Sequence, residues 1–237
     1  MKEVVLEGPG KNALSTELMD RLILELQKAD GAPVLLRGAG DTFCAGLNLK
    51  ELLSLDARGM EAFLRKLEQM VEALYTYPGP LVAALNGHAI AGGAVVALCC
   101  DHIVATSLEN TRTGLNEAAL GLCFPPLTLA VVKERLPRRF LNEILLGAQL
   151  HSPSGALRVG LVDELAQDAV TVARERLAVL AGHPREPYAE IKADLRSRWV
   201  DAARDEARFQ EVLPQWNHPS VKQRIEKVLG PKKEVSS

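Results

Sequence analysis

The chain has 237 residues, of which 47% are hydrophobic, and a formal net charge of −2 at pH 7. This length and apolar content suffice for one substantial core, so we expect one domain with an appendage. The near-neutral charge and an aromatic content of 4% argue against nucleic acid as a partner, because such proteins present basic patches or stacking platforms.

The remaining composition bears on compartment and membranes. No apolar run is long enough to span a bilayer and no signal peptide opens the chain, so we expect no membrane partner. The four cysteines form no C-x-x-C pair, which favours free, mostly buried thiols in a reducing compartment. We therefore expect a cytoplasmic location, or an organelle matrix if a targeting segment has been removed.

The first half of the chain alternates predicted strands and helices, which indicates βαβ units around a mostly parallel sheet. Ser15 is the predicted cap of the first long helix, because a serine precedes apolar residues at helical spacing. The predicted elements, in chain order, are strand 4–6, a turn at 9–11, a helix after Ser15, strand 32–37, helices 49–55 and 60–75, strand Leu81–Leu85, helix 94–100 and strand 103–106.

The second half is mainly helical by the same criteria. Ser152 followed by Pro153 marks one helix start, since proline suits the first helical position. The predicted helices are 127–136, 140–146, 152–159, 170–180, 188–200, 203–213 and 220–228, with a strand or turn at 160–163 and a disordered tail at 230–237. We expect a core domain at 1–183 and a helical appendage at 184–237.

Two glycine-containing turns carry the first functional signal. The stretch 81–101, LVAALNGHAIAGGAVVALCCD, places Gly92 and Gly93 between a strand and a helix, and 42–51, TFCAGLNLKE, places Gly46 at a similar point. The first N–H groups of a helix lack internal partners and can hold a developing oxyanion. Two such turns predict two convergent donors; the structural alternative is that the glycines only allow a helix to pack on a strand.

These two segments, FCAGLNLKEL and NGHAIAGGAVVALCCD, resemble the crotonase, or enoyl-CoA hydratase/isomerase, superfamily. The likeness extends from about residue 12 to about residue 163. Within the superfamily, GLNEAALGL at 114–122 is most similar to the mitochondrial-type Δ3-Δ2-enoyl-CoA isomerases. The resemblance implies an α/β fold in which ββα units form a spiral core, with a C-terminal helical region that serves as lid or trimerisation element.

Glu117 is the predicted proton carrier. No lysine or arginine lies within the four residues after it, so an apolar environment would raise the pKa of its carboxyl group toward neutrality. The alternative from the residues alone is a glutamate at a helix start near the dipole. By resemblance, Glu117 occupies the catalytic glutamate position of the family.

The resemblance also assigns the other site residues. The oxyanion donors would be the backbone N–H groups of Leu47 and Gly92. Further substrate-binding residues would be Ala45, Gly46, Asn48, Gly93 and Asn116, with Ala45 and its neighbours lining the adenine end of coenzyme A. Asn48 stands where an aspartate is frequent in the family.

Val95 distinguishes between reactions. Hydratases of the family carry a second glutamate three residues after the oxyanion glycine, and this chain has Val95 there. Valine cannot hold a water molecule, whereas one carboxyl group suffices to move a proton between two carbons. The sequence thus favours a Δ3-Δ2-enoyl-CoA isomerase acting on an acyl-CoA thioester, with no cofactor beyond the coenzyme A of its substrate. A homotrimer or dimer of trimers is implied by resemblance.

Several alternatives stay open at this stage. The same enolate chemistry could serve decarboxylation or thioester hydrolysis, or the chain could bind acyl-CoA without catalysis. Cys44 could be a nucleophile, although no histidine is clearly paired with it. Lys50 could face a phosphate or be a solvated helix residue, His88 could touch substrate, and Asp101 is expected to cap a helix end. The five histidines show no metal-ligand spacing, so no metal is expected.

Overall fold

The computed structural model describes residues 1–203 and 205–230. Arg204, inside the predicted helix 203–213, and 231–237 of the predicted tail lie outside the described residues. The strands are β1 Lys2–Leu6, β2 Val34–Gly38, β3 Thr42–Cys44, β4 Leu81–Leu85, β5 His88–Ile90, β6 His102–Thr106, β7 Thr113–Gly114 and β8 Glu164–Ala166.

Helices connect and surround these strands. They are α1 Pro9–Asn12, α2 Thr16–Ala29, α3 Leu49–Ser54, α4 Ala57–Tyr75, α5 Gly92–Leu98, α6 Glu117–Leu120, α7 Pro126–Arg135, α8 Pro153–Val159, α9 Ala169–Ala181, α10 Arg185–Ala203, α11 Glu206–Trp216 and α12 Pro219–Leu229. A 3₁₀ turn at Arg138–Phe140 and a π-helix at Asn142–Leu146 lie between α7 and α8. None of the described helices has the length and apolar composition that a bilayer crossing needs.

The strands form two parallel sheets that the chain visits in alternation. The larger sheet has the order β1-β2-β4-β6-β8, and the smaller has the order β3-β5-β7. From β2 to β7 each strand of the larger sheet is followed directly by a strand of the smaller one. Repeating this step winds the chain into a spiral, which confirms the predicted α/β crotonase-like core.

Strand β4 lies at the centre of the core and is buried over its whole length. Leu81, Ala83 and Leu85 face the main core, whereas Val82 and Ala84 face a second cluster against α9. A strand covered on both sides reads as a continuous apolar run, which is why the sequence predicts Leu81–Leu85 with its observed bounds.

Asn86 ties together the two turns that lead into the smaller sheet. Its Oδ1 accepts a hydrogen bond from the Gly38 N–H at 2.9 Å, and its Nδ2 donates to the carbonyl oxygens of Gly38 at 3.1 Å and Gly40 at 2.8 Å. The chain therefore leaves β2 and β4 along neighbouring paths. This places β3 beside β5, and the segments that follow these two strands carry the predicted oxyanion donors.

Asp101 does not cap a helix, which corrects the prediction for this residue. Helix α5 ends at Leu98, and the Asp101 carboxylate accepts the Leu81 N–H at 2.8 Å. It also pairs with Lys192 at 2.8 Å and Arg196 at 2.7 Å, two buried cations on α10. Asp101 thus connects the helix at the start of the C-terminal region to the central strand, by contacts too distant in sequence to predict.

Other differences concern short elements and element ends. The sequence analysis missed β3, β5, β7 and α6, which have two to four residues each. The predicted helix 140–146 is instead the 3₁₀ turn and π-helix, and the strand or turn predicted at 160–163 precedes β8. Ser15 does cap α2, since its hydroxyl accepts the Leu18 N–H at 3.1 Å.

Candidate active site

The segment after β3 leaves the Leu47 N–H free. The Leu14 N–H donates to the Gly46 carbonyl oxygen at 2.7 Å, and the Asn48 N–H donates to the Leu14 carbonyl oxygen at 2.9 Å. Leu47 lies between these two bonds, and a parallel bridge points its N–H away from Leu14. Among the described residues, its N–H has no acceptor.

Gly92 supplies the second free N–H, as the first residue of α5. The preceding Ala91 donates its own N–H to the Gly114 carbonyl oxygen at 2.8 Å, and its φ of 50° and ψ of −122° turn the chain sharply into the helix. The Gly92 N–H has no intrahelical partner at this position, and the described residues offer it no other acceptor.

The two donors come from segments that touch each other. Gly46 adopts a φ of +94°, which glycine takes without strain, and a Cβ there would lie 3.6 Å from the Gly92 nitrogen. A Cβ on Gly92 would in turn lie 3.2 Å from Leu47 Cδ2. The backbone of Gly46 and Leu47 therefore packs directly against the start of α5, as two cooperating donors require.

Glu117 begins the short helix α6 and is buried, with 7% of its surface exposed. Its Oε2 has no hydrogen-bond partner among the described residues. Burial raises the pKa of the Glu117 carboxyl group to about 8, and the one opposing influence is its own backbone N–H. The apolar environment predicted from the sequence is thus confirmed, and near neutral pH both protonation states are accessible.

Glu117, Leu47 and Gly92 all line one cavity of about 250 Å³, together with Ala45 and Asn116. The rest of the lining is almost entirely apolar and includes Val95. Of the described residues that line it, Glu117 alone has a carboxyl group. Two free N–H groups and one carboxyl group therefore share a largely apolar pocket, and this arrangement is chemically able to form and reprotonate an enolate.

Three residues predicted to bind substrate do not line this cavity, and each has a structural role instead. Gly46 makes the left-handed turn between Ala45 and Leu47. Gly93 lets α5 approach β3, because a Cβ there would lie 2.2 Å from the Cys44 carbonyl oxygen. Asn48 caps α3 by accepting the Glu51 N–H at 3.4 Å.

The structure also gives the surroundings of Cys44, His88 and Lys50. Cys44 is fully buried, and burial raises the pKa of its thiol to about 12, the opposite of what a nucleophilic thiolate needs. His88 Nδ1 accepts the Arg112 N–H at 3.0 Å, and His88 does not line the cavity. Lys50 is exposed, as expected for a solvated helix residue.

No residue of the cavity wall that α7 and the C-terminal helices contribute was predicted from the sequence. Trp216 on α11 and Val228 on α12 line the cavity, as does Thr128 on α7. The Trp216 indole N–H donates to the Cys123 carbonyl oxygen at 3.0 Å, which holds α11 against the segment that follows Glu117. Helical spacing of apolar residues was the available signal, but it does not say which pocket a helix covers.

The raised pKa of Glu117 predicts a pH-dependent stability. Between the reference value of 4.5 and about 8, the folded protein binds more protons than the unfolded chain, so the free energy of unfolding falls as pH rises. Glutamine does not titrate, so the Glu117→Gln variant does not lose this part of the free energy of unfolding as pH rises. We expect Glu117→Gln to unfold several degrees higher than wild type at about pH 9, with little difference at about pH 5. Thermal unfolding at the two pH values measures this, and a difference independent of pH would contradict it.

The alternating parallel sheets are those of the crotonase fold, and the two free N–H groups and the buried glutamate share one cavity in it. The enoyl-CoA hydratase/isomerase family model matches residues 1–225. The chain therefore belongs to the enoyl-CoA hydratase/isomerase family.

The relatives of this chain include proteins named as isomerases and proteins named as hydratases. The chain is 31% identical over 165 residues to mitochondrial enoyl-CoA delta isomerase 1 of Mus musculus, with 68% of this chain and 57% of that protein aligned. It is 33% identical over 171 residues to a putative enoyl-CoA hydratase of Thermus thermophilus, covering 69% and 66%. These alignments thus span somewhat less than two thirds of each relative's length.

The fold comparison extends over nearly the whole chain. The crystal structure of human mitochondrial Δ3-Δ2-enoyl-CoA isomerase superposes with a TM-score of 0.89 at 25% identity, covering 96% of this chain and 92% of that one. A probable enoyl-CoA hydratase of Mycobacterium tuberculosis gives 0.81 at 28% identity, covering 91% and 92%. The family and fold are therefore shown, and the choice of reaction depends on the site.

Proposed function

We propose that the protein is a Δ3-Δ2-enoyl-CoA isomerase, with Glu117 as its single proton carrier. The observation that carries the proposal is the cavity lining, in which Glu117 supplies the one carboxyl group among the described residues. Val95 also lines the cavity, and by the family resemblance it stands where hydratases carry a second glutamate. An acyl-CoA thioester is the substrate, and coenzyme A enters only as part of it.

The proposed reaction uses each feature of the site. The Glu117 carboxylate removes a proton from C2 of a 3-enoyl-CoA, and the electrons of that C–H bond move toward the thioester carbonyl. The N–H groups of Leu47 and Gly92 donate to the oxygen of the resulting dienolate. Glu117 then returns the proton to C4, which leaves the double bond between C2 and C3. Its pKa of about 8 suits a group that must both accept and donate near neutral pH.

Val95 predicts that hydration is slow. Adding water to a 2-enoyl-CoA requires polar groups that position and activate the water, and the buried Val95 side chain offers neither. We expect formation of 3-hydroxyacyl-CoA to be slower than isomerisation by at least about a hundredfold, the contribution of one acid–base group. Chromatographic analysis of products from 2-enoyl-CoA measures this, and hydration at a rate similar to isomerisation would contradict it.

A panel of thioesters tests the proposed function. The purified protein is incubated with 3-enoyl-, 2-enoyl- and malonyl-type CoA thioesters, and products are separated by chromatography and identified by mass spectrometry. The ultraviolet absorbance of the conjugated thioester distinguishes 2-enoyl-CoA from 3-enoyl-CoA. We expect conversion of 3-enoyl-CoA to 2-enoyl-CoA of equal mass. Decarboxylation or release of free coenzyme A would instead support another enolate reaction, and binding without turnover would support a non-catalytic acyl-CoA-binding protein.

The proposal includes an assembly and a location. By its family resemblance we propose a homotrimer or a dimer of trimers, located in the cytoplasm or an organelle matrix. Light scattering with size-exclusion chromatography tests the assembly, and a monomeric mass would contradict it.

A further inference from the structure

Thr128 is a polar residue in the cavity wall that the proposed reaction does not use. It is the third residue of α7 and has 2% of its surface exposed. Its hydroxyl group makes no hydrogen bond within the part of the chain that the structure describes. Burying a hydroxyl without a partner is unfavourable, whereas valine would fill the same space at no such cost.

The position of Thr128 explains why its hydroxyl is free. A threonine deeper in a helix can donate to the carbonyl oxygen four residues earlier. For Thr128 that residue is Phe124, which lies before the start of α7. The Thr128 backbone is well fixed, since its N–H donates to Glu68 Oε1 at 3.2 Å and the Leu127 N–H donates to the same oxygen at 2.8 Å. The unpaired hydroxyl therefore belongs to a cavity-lining residue whose backbone is held in place.

A second unpaired polar atom lies in the same lining. Asn116 Oδ1 is also buried without a partner among the described residues. It can only accept a hydrogen bond, whereas the Thr128 hydroxyl can donate or accept. A hydroxyl group on a ligand could pair with either atom, while a carbonyl oxygen could pair only with Thr128.

We propose that Thr128 is a specificity-determining residue, and that the cavity prefers acyl chains bearing a hydroxyl group beyond the reacting carbons. The inference rests on the proposed function for the position of the chain. C1 lies at the N–H groups of Leu47 and Gly92, and C2 to C4 lie at Glu117. Since those groups are assigned to C1 to C4, we place the oxygen that Thr128 binds at C5 or further along the chain.

Binding of non-reactive ligands tests this independently of catalysis. The ligands are the CoA thioesters of saturated octanoic and decanoic acids and of their analogues with one hydroxyl at successive positions from C5. Calorimetry gives Kd for wild type, Thr128→Val, which removes the hydroxyl at nearly constant shape, and Thr128→Ser, which keeps it. Because saturated chains cannot isomerise, the result stands even if the proposed reaction is wrong.

We expect wild type to bind at least one hydroxylated chain about tenfold more tightly than the matching unsubstituted chain, as one buried hydrogen bond allows. Thr128→Val should lose this preference without weaker binding of the unsubstituted chain, and Thr128→Ser should retain it. No preference in wild type for any hydroxyl position, or an equal preference in Thr128→Val, would overturn the proposal. If Thr128→Val changes Kd equally for hydroxylated and unsubstituted chains, the Thr128 hydroxyl binds water rather than substrate. That result would also overturn the proposal.

Discussion

Replacing Glu117 by glutamine is expected to lower kcat for allylic isomerisation by about a hundred- to ten-thousandfold, the range typical of a general base. The amide keeps the size of the side chain but cannot accept a proton from C2 at neutral pH. Affinity for acyl-CoA should stay nearly unchanged, because the Leu47 and Gly92 donors and the apolar wall are intact. Steady-state kinetics with a 3-enoyl-CoA and calorimetry with a saturated acyl-CoA separate the two effects.

The control is the same chemical change on the surface. Glu109 is exposed and does not line the cavity, so Glu109→Gln should retain wild-type kinetics. If folded Glu117→Gln keeps more than about a tenth of the wild-type rate, another group carries the proton. Glu117 would then be a structural residue, and the isomerase proposal would lose its support.

Gly92→Val is expected to lower kcat by about a hundredfold or more, the usual effect of losing one oxyanion donor. A Cβ at Gly92 would lie 3.1 Å from Leu14 Cδ1 and 3.2 Å from Leu47 Cδ2. Those flexible side chains can yield, so we expect the variant to fold. The branched side chain of valine, however, crowds the place of the thioester oxygen. Gly92→Ala should have a smaller effect in the same direction.

The neighbouring glycine provides the contrast. At Gly93 a Cβ would meet the Cys44 carbonyl oxygen at 2.2 Å, and backbone cannot yield as a side chain does. Gly93→Ala should therefore lower the unfolding temperature, whereas Gly92→Val should lower kcat in a protein that unfolds near the wild-type temperature. Near-normal kcat in folded Gly92→Val would show that the oxyanion is held elsewhere.

The sequence predicts best where local chemistry decides the structure. The continuous apolar run gives β4 its bounds, and Ser15 caps α2 as its position before apolar residues at helical spacing indicates. Helix α5 starts at Gly92, two residues before the predicted start at 94. The prediction left out Gly92 and Gly93 because glycine has a low helix propensity. The strands of the smaller sheet have two or three residues, too few to show an alternating pattern.

The candidate site likewise contains residues that the sequence predicts and residues that it does not. Small-residue turns predicted two donors, and the lack of nearby cations predicted a raised pKa for Glu117. The family resemblance assigned the roles to Leu47, Gly92 and Glu117, which the structure brings to one cavity. Thr128 and Trp216 come from helices that reach this cavity only through tertiary packing, and no local pattern marks them. Asn48 caps α3 and does not line this cavity, so its role in substrate binding stays a prediction.

The most direct test of the account follows the proton itself. A 3-enoyl-CoA carrying two deuterium atoms at C2 is incubated with wild type and with Glu117→Gln, and the label is followed by NMR and mass spectrometry. The account predicts that wild type removes one C2 deuterium and delivers it to C4 or to solvent as 2-enoyl-CoA forms, and that Glu117→Gln leaves both in place. Removal of the C2 label by folded Glu117→Gln at the wild-type rate would contradict the role of Glu117.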